Sequence, residues 1–97
     1  MTRWSELSWT EVAEQVARTP FVLLPFGAVE EHGPHLPLGT DVYAAAGLAS
    51  RIAERADLIE LPVMPYGQVW SLEHFDGSLS VSDATLVQLV VEIAAGL

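Results

Sequence analysis

Pro25-Phe26-Gly27-Ala28-Val29-Glu30-Glu31-His32-Gly33-Pro34-His35-Leu36-Pro37-Leu38-Gly39-Thr40-Asp41 marks a change of character in the chain. The apolar run Phe21 to Leu24 leads into it and reads as a short buried strand bounded by prolines. These seventeen residues hold three glycines, three prolines, two histidines and three acids, which forbids a regular helix or a central strand. Phe26, Val29, Leu36 and Leu38 give the segment apolar anchors, so the reading is a rigid, packed loop rather than a linker. In α/β proteins the C-terminal end of a strand is where functional groups collect.

Glu30, His32, His35 and Asp41 are candidate ligands for a divalent metal. With the backbone extended, Glu30 and His32 point to the same side, and Asp41 returns at the end of the loop. Mixed carboxylate and imidazole ligation suits zinc, manganese or iron better than calcium, which takes all-oxygen shells. Spacing alone leaves a second reading open, in which the histidines bond backbone groups and the acids face solvent.

Working outward, Ser8 followed by Glu11 fits a capping box. A helix is expected over Trp9 to Arg18, with Trp9, Val12, Ala13, Val16 and Ala17 on one apolar face. Residues 1–8 form an N-terminal arm, and Trp4 and Trp9 are expected to be packing residues. On the other side of the loop, a helix is predicted from Asp41 or Val42 to Ala56, capped by Thr40 or Asp41. Its buried stripe would be Ala45, Leu48, Ala49, Ile52 and Ala56. Leu58 to Val63 reads as a second strand. Strand, crossover helix and strand normally give two parallel strands in right-handed connection. Ser82 or Ser80 would cap a last helix, Asp83 to Ala95, with Gly96 as its C-cap.

Composition narrows the function classes. The chain has 97 residues, 51% hydrophobic, with a formal charge of −9. Four basic residues against thirteen acidic ones argue against nucleic acid and against anionic membranes as partners. No cysteine is present, which removes disulfides, thiolate zinc sites and a cysteine nucleophile. The N-terminus lacks an apolar signal region and no apolar run reaches the ~18 residues of a membrane span, so a cytoplasmic location is the default expectation. Phosphate-loop, dinucleotide and serine-elbow patterns are absent.

The pattern Pro25-x-Gly27-x-x-Glu30-x-His32-Gly33-x-His35-Leu36-Pro37-x-x-x-Asp41 resembles the N-terminal signature of the creatininase (creatinine amidohydrolase) family. That resemblance implies an α/β fold with a mostly parallel sheet and crossover helices, as the N-terminal portion of a larger three-layer α/β/α domain. It implies two divalent metals per complete site, zinc alone or zinc together with manganese or iron. Glu30 matches a ligand of one metal, His32 a ligand of the other and Asp41 the carboxylate bridging them, while His35 matches a motif histidine that does not touch metal. Glu31 departs from the family's usual Gln and adds negative charge beside the site. The stretch Gly67 to Ser80 resembles a second family segment, with Ser78 where Thr is common and Asp76 where Pro is frequent. Residues 64–80 then read as a cleft wall or lid, with Tyr66 and Trp70 able to stack on a small planar substrate. His74 lies in the same wall and is weighted towards a structural role.

The implied activity is hydrolysis of a C–N bond in a small amide or cyclic amide, in a complete protein that is expected to be a homo-oligomer. Creatinine, a formamide intermediate of flavin or deazaflavin synthesis, and a peptide of redox-cofactor maturation are the candidate substrates. Family members continue with an Asn-Gly-His-Gly-Gly-Asn-like segment and a glutamate that supply further ligands, and nothing in residues 84–97 matches it. The 97 residues alone are therefore read as an incomplete creatininase-like domain, expected to be inactive. The rival readings are a noncatalytic metal-binding or assembly module and a truncated product without function.

Overall fold

The computed structural model describes residues 3–97, so the first two residues of the expected arm lie outside it. Strand β1 (Val22–Leu23) pairs in parallel with β2 (Ile59–Glu60), Val22 opposite Ile59 and Leu23 opposite Glu60. Both strands are shorter than the runs Phe21 to Leu24 and Leu58 to Val63 suggest. Pro25 and Pro62 have no N–H to donate, so each removes a donor from the ladder, although the Pro25 carbonyl still accepts from Met64 N–H at 2.9 Å. Parallel pairing resumes past the prolines as a bridge between Phe26 and Met64, with Gly27 N–H donating to the Met64 carbonyl at 2.8 Å. An isolated parallel bridge also joins Arg3 to Glu60, and Trp4–Glu6 of the arm form a short 3-10 helix.

Helix α1 (Trp9–Arg18) begins at a complete capping box: Ser8 accepts from the Glu11 N–H and the Glu11 carboxylate accepts from Ser8 N–H at 2.7 Å. Its expected apolar face is not covered. Only Val12 of that face is half-buried, and Trp9 is 82% exposed, so Trp9 is not a packing residue among the described residues. Helix α2 (Thr40–Ala56) crosses from the loop to β2. Neither Thr40 nor Asp41 caps it. Gly39 occupies the cap position without a side-chain bond, and the Thr40 hydroxyl donates instead to the Pro37 carbonyl at 2.6 Å.

The buried stripe of α2 is also narrower than its periodicity predicts. Ala49 and Ala53 are buried, as are Ile59, Leu61 and Val69, whereas Leu48 is 60% exposed and Ile52 and Ala56 are exposed as well. Small side chains let the helix approach a strip of sheet only two residues long, and the larger Leu48 and Ile52 remain exposed. Helix α3 (Asp83–Gly96) is capped by Ser82, which accepts from Thr85 N–H at 3.1 Å. Ser80 is engaged elsewhere, accepting from Val69 N–H at 2.9 Å. The helix runs through Gly96, so that glycine is not its C-cap. None of its residues is buried.

Candidate metal centre

Three local features bring Glu30, His32 and Asp41 together. The loop from residue 30 to 38 closes on itself, with Glu30 N–H donating to the Leu38 carbonyl at 3.0 Å. Asp41 stands in the first turn of α2, where the positive end of the helix dipole favours a carboxylate. Gly27 lets that turn approach: a Cβ there would lie 2.7 Å from Val42 Cα. One ligand atom from each of Glu30, His32 and Asp41 then lies within 4.8 Å of the others, and all three residues are half-buried.

The histidine is held in a definite orientation. Its Nδ1 is 3.0 Å from the Glu30 carbonyl oxygen. A carbonyl only accepts, so Nδ1 carries the proton and donates. Nε2 therefore faces Asp41 Oδ1, at 3.2 Å. That contact favours a second proton on the ring. The Glu30 carbonyl first, and then the Asp41 carboxylate, hold the imidazolium above the usual imidazole range despite the opposing effect of burial. Burial, followed by the neighbouring Asp41 and then Glu31 carboxylates, pushes the Glu30 carboxyl up, partly offset by His32. Without a cation the cluster thus gathers protons. A divalent ion between Nε2 and the two carboxylates would satisfy the same lone pairs, and one imidazole nitrogen with two carboxylates is a donor set that zinc, manganese or iron accepts.

Other sequence candidates fall elsewhere. His35 is exposed and lies outside the cluster, its ring against Gly33. Tyr66 is exposed, and Trp70, 66% exposed, lines an open groove with Gln68, Glu73 and Asp83 that includes none of the three clustered residues. His74 lies against Phe75 at a tilt of 39°, ring centroids 4.4 Å apart. Two residues matter more to the loop than their sequence context suggested. The Glu31 carboxylate accepts from Gly33 N–H, shaping the turn where Gly33 has φ +75°. Ser78 Oγ accepts from Glu31 N–H at 2.9 Å. Gly33 itself is the local turn signal for the first; the second is a contact 47 residues away with no local signature.

The family model for creatinine amidohydrolase matches residues 5–97. This chain belongs to the creatininase family. Relatives include the mycofactocin precursor peptide peptidase of Mycolicibacterium smegmatis, 40% identical over 79 residues, covering 75% of this chain and 32% of that protein. The creatinine amidohydrolase of Pseudomonas putida is 36% identical over 94 residues, covering 91% of this chain and 36% of that protein. A crystal structure of creatinine amidohydrolase superposes with a TM-score of 0.88 at 35% identity, covering 96% of this chain and 38% of the other. Solved creatininases at 33% identity include a mutant of zinc–zinc type and a manganese form, with TM-scores of 0.87 and 0.89. The chain therefore spans under two fifths of these relatives, and its α/β fold with parallel strands and a crossover helix corresponds to the N-terminal portion of the larger creatininase domain.

Proposed function

We propose that this chain contributes metal ligands to a hydrolase that cleaves the C–N bond of an amide. The observation that carries the reading is the Glu30–His32–Asp41 cluster, with its ligand atoms within 4.8 Å, on a chain of the creatininase family. A divalent ion held there would polarise an amide carbonyl and lower the pKa of water beside it. Glu30 and His32 supply one ligand atom each from the loop. Asp41 matches, by the motif resemblance, the carboxylate that would serve two ions at once. The Glu30 carbonyl keeps the His32 tautomer that leaves Nε2 for the metal. The cleft wall is the loop over residues 64–80, with Tyr66 and Trp70 as the exposed rings available to a planar substrate.

A small or cyclic amide of the creatinine type is the leading substrate class. A short peptide is the second reading, favoured by the 40% identity to a peptide peptidase. The test is metal content followed by a substrate screen. The chain is loaded with zinc or manganese, dialysed and assayed for bound metal, then offered creatinine, a formamidopyrimidine and short peptides. Bound metal with hydrolysis of one substrate supports the reading and selects between the classes. Weak metal binding without hydrolysis is the result expected of a chain that spans under two fifths of its relatives; tight binding of one ion without hydrolysis favours the noncatalytic metal module, and absence of metal binding overturns the reading.

A further inference from the structure

Ser78 is brought to the metal-candidate loop by the turn just before it. Gly77 has φ +86°, where a side chain is strained, and a Cβ there would lie 2.5 Å from Leu38 Cδ1. After the turn, Leu79 N–H donates to the Val29 carbonyl at 3.0 Å, and the two residues pair in antiparallel fashion. Ser78 Oγ is thereby set 2.9 Å from the Glu31 nitrogen in a half-buried position. The Glu31 amide is the link between Glu30 and His32. Its neighbours on the loop are held by the loop itself, Glu30 N–H by Leu38 and Gly33 N–H by Glu31. Ser78 supplies the side-chain restraint on the Glu31 amide, from a segment 47 residues away.

We propose that Ser78 is a positioning residue for the metal centre: its hydroxyl oxygen holds the Glu31 amide and so sets the separation of the Glu30 carboxylate from the His32 imidazole. This rests on the metal-centre reading above. Residues that orient ligands without touching the metal typically change metal affinity by about 10- to 100-fold when removed. Ser80 provides an internal comparison. Its hydroxyl accepts from a backbone N–H, Val69, at the same 2.9 Å, two residues further along, but it does not touch the ligand loop. The two bonds have the same chemistry and differ in what they hold.

The experiment measures zinc affinity by competition with a chromophoric chelator, beside thermal melts, for the wild-type chain and for S78A, S78T, S78V and S80A. S78A is expected to bind zinc about 10-fold more weakly than wild type. S78T is expected to restore affinity because it keeps the oxygen. S78V has the shape of the threonine without that oxygen and is expected to bind weakly, so the pair reads the bond even if S78A does not fold. S80A is expected to lower the melting temperature without a matching loss of zinc. Equal affinity in S78T and S78V, or an S80A loss as large as that of S78A, overturns the positioning role alone. A wild-type chain that binds no zinc overturns the metal-centre reading and the proposal with it.

Discussion

His32 and Glu30 set the chemistry at the scale of single residues, because both hold protons more firmly in the fold than in an unfolded chain. A group with a raised folded pKa stabilises the fold below its unfolded pKa, and that contribution disappears as pH rises through the folded value. For the metal-free chain the His32 contribution therefore declines above pH 6.5, the ordinary imidazole value. Glu11 has the opposite sign, held low by Ser8 N–H, but it titrates below 4.5 and does not enter that window. Zinc competes with the same protons, so its stabilising effect is expected to grow as pH rises past 6.5. Melting curves with and without zinc on either side of that pH check this; an equal zinc effect on both sides would contradict it. Asp41 and His35 separate the ligand roles. Asp41→Ala is expected to lose most of the bound metal and His35→Ala little, since His35 stands outside the cluster. Metal stoichiometry of the two variants decides, and equal retention would sink the assignment of Asp41.

Between elements, the decisive contact is the approach of the loop to the start of α2. Gly27 has room for a hydrogen and nothing more, with the Val42 nitrogen and Cα 2.8 and 2.7 Å from where a Cβ would stand. Those are backbone atoms, so the clash cannot be relieved by a rotamer change. Gly27→Ala is expected to cost about 1–3 kcal/mol of stability as an overpacking substitution. It is also expected to displace Asp41, which lies next to Val42, and so to weaken metal binding more than a purely thermal defect would. Melting temperature and zinc affinity measured together test this; a folded Gly27→Ala chain with wild-type affinity would refute it. The same element explains why capping was misjudged. Thr40 and Asp41 have the side chains of cap residues, but the Pro37 carbonyl engages one and His32 the other.

Across the whole molecule the chain is extended, with principal extents of 45 × 29 × 19 Å and a radius of gyration of 15.2 Å. A compact domain near this length has a radius of about 13 Å. Among the described residues five apolar ones are buried, and Leu48, Ile52, Val87, Leu89 and Val91 are exposed. Leu23, Pro25, Ala45, Leu48, Ala49 and Ile52 line a shallow apolar depression of about 190 Å³. Contiguous apolar surface of this kind drives association in water. The isolated 97-residue chain is expected to self-associate and to bind a hydrophobic dye, as read by light scattering and fluorescence across a concentration series. A monodisperse monomer without dye binding would contradict that. Among the described residues no helix is long and apolar enough to cross a membrane.

Local signals were legible where the physics is local. Ser8 with Glu11, Ser82 before Asp83, and the proline–glycine spacing of residues 25–41 each announce a cap or loop through bonds made within a few residues. The parallel strand pair followed from a strand–helix–strand order, and the ligand candidates from their types and spacing. What remained hidden depends on distant partners. Which face of α2 is covered, how far Trp9 stands in solvent, and the meeting of Ser78 with Glu31 are set by segments tens of residues away. The sequence alone determined which residues have side chains able to ligate a metal and which elements present them. Only the tertiary structure decided their separation and the His32 tautomer, because both depend on hydrogen bonds and close approaches that spacing along a chain does not specify.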